Sequence, residues 1–177
     1  TTQKVAKGKA TNCPEHHTIS NDKVTNYYKE AYNEWRHLIR LSVKPQILSC
    51  VRSGMSKPLV LVNFKTYQTA SGNAAMNLLE AMEQYANGPA TLVAAVSAFD
   101  MSPLSASSNS VEIWSQHLDP VGLGGYTGWL EPTTARSRGA VGTLINHAEH
   151  KVSIQHVEEL LKMLPDGFPV CACAADV

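Results

Sequence analysis

Residues 59–65 read Leu-Val-Leu-Val-Asn-Phe-Lys, an apolar run that closes on an amide and a lysine. Polar residues do not alternate with apolar ones in Leu59 to Phe64, so a strand here is covered on both faces. Such strands belong to parallel sheets with helices packed on them. The same reading extends along the chain. Ser71 to Tyr85 places Ala74, Ala75, Leu78, Leu79, Ala81 and Met82 at helical spacing. Thr91–Val96 is a second buried strand, and 101–108 gives one or two helical turns. Val111–Ser115 is a third strand, Pro132–Arg138 a short helix and Ala140–Ile145 a fourth strand. Ser153 caps a helix over Ile154–Leu164, and Phe168–Ala174 is a fifth strand. Strand and helix alternating through short links imply parallel pairing and right-handed crossovers. Periodicity leaves open whether the sheet is flat or curls into a barrel.

Composition agrees with a globular domain. Of 177 residues, 44% are hydrophobic and 17% charged, and the formal net charge is zero. A neutral surface argues against nucleic acid as partner, and no apolar run is long enough for a membrane span. The cysteines Cys13, Cys50, Cys171 and Cys173 lack the spacing of a secreted disulfide scaffold. Cys171 and Cys173 share one face of a strand and read as buried free thiols. An intracellular, reducing compartment follows, either cytoplasm or an organelle matrix after removal of a presequence.

Residues 1–54 have a different character. The first nineteen are polar, and Cys13, His16 and His17 make too small a ligand set for structural zinc, so no metal is expected. Ser20 or Asn21 can cap an amphipathic helix whose apolar stripe runs through Val24, Tyr28, Ala31, Tyr32, Trp35, Leu38 and Ile39. Tyr28 and Trp35 suit an interface. Pro45, Gly54 and Pro58 mark 44–58 as a linker. Met55 resembles a translation start, which makes 1–54 an extension and 55–177 the older domain.

Functional side chains of a βα array gather at the C-terminal ends of its strands. By that rule Asn63 and Lys65, then Gln116, His117 and Asp119, then Asn146, His147 and Glu149 meet at one end. Lys65 and Glu149 are placed to pair. His117 and Asp119 also suit a simple hydrogen-bonded turn, and His150 and His156 read as surface residues.

Four segments in order, NFKTY (63–67), QHLDP (116–120), GGYTG (124–128) and GTLINHAEH (142–150), resemble the triosephosphate isomerase family, in its archaeal branch. The resemblance covers residues 59–177 and leaves the first 54 unmatched. It implies a partial (β/α) barrel of about five parallel strands and no cofactor. Asn63 and Lys65 would hold the substrate, and Lys65 would also stabilise charge on an enediolate. His147 would act as a neutral electrophile, as the histidine of triosephosphate isomerases does. Glu149 would brace Lys65. Thr127 and Gly128 would belong to a loop that enters a neighbouring subunit.

The chain also departs from the pattern. Ala148 stands where the family usually has serine, and His150 and Lys151 stand where two basic residues, commonly arginines, follow. No residue of the final CACAADV matches the family's glutamate base, Asp176 included. The expectation is therefore a degenerate domain that serves as a structural or interaction subunit. The alternative is one part of a split or incompletely sequenced isomerase acting on dihydroxyacetone phosphate and glyceraldehyde 3-phosphate. A module that binds a small phosphate or carboxylate ligand without turnover is a further reading. Five barrel strands expose sheet edges and an apolar inner face. The N-terminal helix, a second copy in a homo-oligomer, a protein partner with the missing strands or a large assembly is expected to cover them, with a triose phosphate as the small ligand.

Overall fold

The computed structural model describes residues 5–6, 46–50 and 57–174, the first two segments by backbone alone. Seven strands form one sheet: β1 (Val5–Ala6), β2 (Gln46–Cys50), β3 (Leu59–Asn63), β4 (Thr91–Val96), β5 (Glu112–Ser115), β6 (Thr143–Ile145) and β7 (Val170–Cys173). Their order across the sheet is β1-β7-β6-β5-β4-β3-β2. The strands β3 to β7 are parallel and adjacent in chain order. Helices α1 (Asn73–Glu83), α2 (Met101–Ser107), α3 (Pro132–Ser137) and α4 (Ile154–Met163) make the four crossovers. The fold is α/β, a curled half-barrel of the expected five parallel strands.

Side-chain alternation explains the layering. Val60, Val62, Leu92, Ala94, Val96 and Ile113 pack on one side with Leu79 and Met82 of α1 and Met101 and Leu104 of α2. Leu59, Leu61, Val93, Ala95, Trp114, Leu144, Cys171 and Cys173 form the core on the other side. A third cluster joins Leu118 and Ile145 to Leu160 and Leu164 at the α4 end. Full burial of one such side chain is worth about 1.5–3 kcal/mol. The inner face, expected to need a cover, is buried: Leu61, Val93, Ala95 and Leu144 have no accessible surface. Part of the reason is Trp114, whose indole lies across Gly142 just before the neighbouring strand β6. A Cβ there would come within 2.3 Å of the ring. The Trp114 Nε1 donates to Glu112 Oε2 at 2.9 Å, which satisfies its polar end.

The linker expected over 44–58 contains a strand instead. Gln46–Cys50 pairs antiparallel with the whole of β3, from Gln46 opposite Asn63 to Cys50 opposite Leu59. Its short apolar run lies between Pro45 and Gly54, which dominate the sequence signal. What the sequence cannot show is the unpaired edge of β3 that this run satisfies. On the far edge β1 pairs antiparallel with β7, Val5 opposite Cys173. Both edges of the parallel set thus carry a strand from the N-terminal segment. The amphipathic helix with Tyr28 and Trp35 lies outside the described residues, as do Cys13, His16, His17 and Asp176. A 3-10 turn at Gln68–Ala70, not expected from the sequence, links β3 to α1. Among the described residues, no helix is long and apolar enough to cross a membrane.

Candidate active site

Parallel pairing brings the C-terminal ends of β3 to β7 to one rim, and polar residues follow the strands there. The first is Asn63, buried at the end of β3. Its Oδ1 accepts from the Lys65 backbone N–H at 2.9 Å and from Gln116 Nε2 at 3.2 Å. Lys65 has φ of 53°, a conformation that a non-glycine residue adopts only when its surroundings impose it. Gln116 contributes to that constraint, since its Nε2 also donates to Lys65 O at 3.0 Å and to Ala95 O at 3.2 Å. The amide thus ties β5 to the ends of β3 and β4.

The fixed backbone directs Lys65 across the rim. Its Nζ makes a 2.5 Å ion pair with Glu149 Oε1 and lies 5.9 Å from the centre of the Tyr67 ring. The lysine side chain is nearly buried, whereas Glu149 is 60% exposed. The Lys65 ammonium is the main reason the Glu149 carboxyl sits below its ordinary pKa. Glu149 stays ionised and the lysine keeps its counter-ion.

His147 shares this wall and is buried. Its Nδ1 accepts from the Glu149 backbone N–H at 3.2 Å, so the ring proton resides on Nε2. The Glu149 carboxylate is 3.6 Å from the same Nδ1 and would attract an imidazolium. Burial is the larger effect and, aided by the positive charges of Lys65 and Lys151, holds the His147 pKa below its ordinary value. The ring is therefore a neutral donor. Asn146, with φ of 57°, positions it: Nδ2 donates to Cys173 O at 2.8 Å and Oδ1 accepts from Val152 N at 3.1 Å. The turn that carries His147 is thereby fixed to the end of β7.

A cleft of about 550 Å³ opens on Asn63, Lys65, Gln116, His117, Gly128, Trp129, His147, Glu149 and His150. The structure brings Asn63, Lys65, His147 and Glu149 together. Gly128, with φ of 86°, also reaches the cleft, while Thr127 is exposed on the loop that precedes it. Tyr126 and Trp129 of that loop meet edge to face at 6.2 Å and are each about half exposed. Two residues have more contacts than the sequence suggests. His156, read as a surface residue, is half-buried with its Nε2 3.1 Å from Leu118 O. His150 stacks on His117 at 4.2 Å. Only the recurrence of histidine near the two strand ends could have signalled either contact.

A short lysine–glutamate pair, a buried neutral imidazole and an anchored amide around one cleft can polarise a carbonyl and hold a developing oxyanion. The sequence profile of the family described as triosephosphate isomerase matches residues 58–174. The chain belongs to the triosephosphate isomerase family. It is 36% identical over 104 residues to the triosephosphate isomerase of Methanoculleus marisnigri, covering 58% of this chain and 46% of that one. For the triosephosphate isomerase of Methanosarcina acetivorans the identity is 32% over 124 residues, with 70% and 56% covered. For that of Saccharolobus solfataricus it is 31% over 108 residues, with 61% and 48% covered. This triosephosphate isomerase homologue spans about half the length of the curated relatives it matches. The crystal structure of triosephosphate isomerase from Bartonella henselae gives a TM-score of 0.51 at 17% identity, over 60% of this chain and 48% of that one. That likeness concerns the fold alone.

Proposed function

We propose that this domain carries the electrophilic half of a triose-phosphate isomerase site: it binds a triose phosphate and polarises its carbonyl. The observation that carries the reading is the joint placement of the Lys65–Glu149 pair and the neutral His147 on one cleft. Lys65 holds negative charge that develops on the substrate oxygen. His147 donates its ring proton as a hydrogen bond without first having to lose a charge. Asn63 fixes the Lys65 backbone, so the ammonium needs little reorganisation.

Isomerisation also needs a base within hydrogen-bond reach of the substrate carbon acid. Glu149 is the carboxylate that lines the cleft, and Lys65 engages it. The described residues therefore support binding and polarisation but not proton abstraction. The test is titration of dihydroxyacetone phosphate into the 177-residue chain, followed by NMR, beside an isomerisation assay. Saturable binding that weakens at least tenfold in Lys65→Met, with turnover undetectable, is expected. Absence of binding, or binding indifferent to Lys65 and His147, refutes the reading.

One observation favours a structural or interaction role as a second reading. Antiparallel β1 and β2 occupy both edges of the parallel set, where a closed barrel would continue with parallel strands. On that reading the unit is capped by its own N-terminal segment, and the polar rim is inherited rather than used. Unchanged assembly in Lys65→Met and His147→Asn, together with no ligand binding, would favour it.

A further inference from the structure

Beside the cleft, three side chains from two segments converge in a way that the isomerase reading does not use. His117 Nε2 lies 3.1 Å from Asp119 Oδ1, and His156 Nε2 lies 4.0 Å from the same oxygen. All three ligand atoms fall within 4.8 Å of one another. We propose that His117, Asp119 and His156 form a binding site for a divalent transition-metal ion of the Zn²⁺ class.

The donor set is the first argument. Two imidazoles and one carboxylate are the protein ligands of an open zinc site, which keeps its fourth position for water or another ligand. Geometry is the second. Bonds of about 2.0–2.2 Å in a tetrahedron place ligand atoms roughly 3.3 Å apart. The His117–Asp119 spacing already meets that. The His156–Asp119 spacing of 4.0 Å must close by roughly 0.7 Å, within reach of a side-chain rotation on the half-buried face of α4. Support is the third. The Asp119 Oδ2 accepts from Leu130 N at 2.7 Å and Asp119 N donates to Leu130 O at 2.9 Å. That fixes the carboxylate and leaves Oδ1 facing the two rings. Ser115 Oγ donates to His117 O at 2.6 Å and holds the same turn from below.

Without metal, His156 Nε2 is positioned to donate to Leu118 O at 3.1 Å. Binding requires that ring to give up the carbonyl and present its lone pair. His117 also borders the cleft of Lys65 and His147, so an ion here adds positive charge to the wall of that site. The proposal stands whether or not the cleft binds a triose phosphate.

The test is Co²⁺ titration of the full 177-residue chain without a histidine tag, read by d–d absorption, followed by displacement with Zn²⁺. One Co²⁺ per chain is expected, with tetrahedral band intensity and no thiolate charge-transfer band. His156→Gln retains a side-chain donor for Leu118 O but removes the imidazole, so it keeps the turn intact. It should weaken the metal more than about 100-fold, because even outer partners of a ligand are worth 10–100-fold. Asp119→Asn should do the same, and circular dichroism checks that each variant is folded. If Asp119→Asn unfolds, His156→Gln alone decides. His16→Ala with His17→Ala should leave the affinity unchanged. The proposal is overturned if the chain binds no stoichiometric Co²⁺, or if His156→Gln binds as tightly as the wild type. It is equally overturned if the ion is lost with His16 and His17.

Discussion

Replacing Glu83 tests how the half-barrel delivers its site. Glu83 is the last residue of α1, and its carboxylate closes the loop that leads into β5. Oε1 accepts from Asn109 N at 2.9 Å, Ser110 N at 3.1 Å, Val111 N at 3.1 Å and Ser108 Oγ at 3.0 Å. Oε2 accepts from Ser110 N at 3.1 Å. Three successive backbone donors thus converge on one charge, and β5 begins at the next residue with Trp114, Gln116 and His117 to follow. In Glu83→Gln an amide replaces the carboxylate and presents a donor to groups that are themselves donors. Hydrogen bonds to a charged group contribute about 1.5–3 kcal/mol each when water cannot replace them. Water can reach Asn109 N and Ser110 N, and the single Ser108 hydroxyl proton also serves Val111 O at 2.5 Å, so the partly buried Val111 N accounts for most of the loss. The expected destabilisation is about 2–3 kcal/mol. At roughly 2–4 °C per kcal/mol for a chain of this size, the melting temperature falls by about 4–12 °C. The pH dependence supplies a second readout. Burial opposes ionisation of Glu83, but the backbone donors and the Ser108 hydroxyl together outweigh it and hold the pKa below the ordinary 4.5. The folded state therefore keeps this proton off at a pH where the unfolded chain has taken it up. The stabilisation is complete above the ordinary value and disappears as pH falls through the folded one. Denaturant unfolding of wild type and Glu83→Gln should show a gap that is constant near neutrality and narrows below about pH 4.5. A variant within about 0.5 kcal/mol of wild type at neutral pH, or a gap that persists into acid, would refute the reasoning.

Gly142→Ala places a methyl against the Trp114 indole, so thermal unfolding should show a loss of about 1–3 kcal/mol, largely recovered in a double variant with Trp114→Leu. Asn146→Ala removes the hydrogen bonds to Cys173 O and Val152 N from a residue at φ of 57°. Denaturant midpoints should report about 2–3 kcal/mol of destabilisation, with Asn146→Gly losing less because it tolerates the backbone. His147 should appear by nitrogen-15 NMR at neutral pH as the Nε2–H tautomer and titrate below the ordinary 6.5. Its stability contribution is full above that value and falls as acid forces a proton onto the buried ring. In Glu149→Gln its pKa should drop further, since an attractive charge is gone; a rise would contradict the geometry.

What was legible in the sequence follows from what is local. Strands β3 to β7 and the four helices lie within a few residues of where apolar spacing puts them, because burial on both faces leaves a pattern at periods of 2.0 and 3.6. The meeting of Asn63, Lys65, His147 and Glu149 was legible too, since parallel strands necessarily bring their C-terminal ends together. The pairing of β2 with β3 was not. Five residues between a proline and a glycine carry no period long enough to detect, and the edge they satisfy belongs to another segment. Nor could the backbone at Lys65 be foreseen. A lysine at positive φ is disfavoured locally, and only the hydrogen bond it donates to Asn63 and the one it accepts from Gln116 explain it.

The same distinction bears on the rim as a whole. Lys65 and Asn146 are the two non-glycine positive-φ residues among those described, and each follows a strand that ends at the cleft. Backbone held in this way persists only where surrounding contacts over-determine it. Here those contacts are side-chain amides: Asn63 and Gln116 at Lys65, and the residue's own amide at Asn146. A domain kept only for its fold has no need to hold a lysine in that conformation, since a glycine would supply it at lower cost. The conformation places Lys65 Nζ on Glu149 and Glu149 N on His147 Nδ1, so strain at two strand ends converges on one pair of groups. That convergence favours a ligand-binding rim over an inherited one. It also makes the binding test with dihydroxyacetone phosphate more informative than an assay of turnover alone.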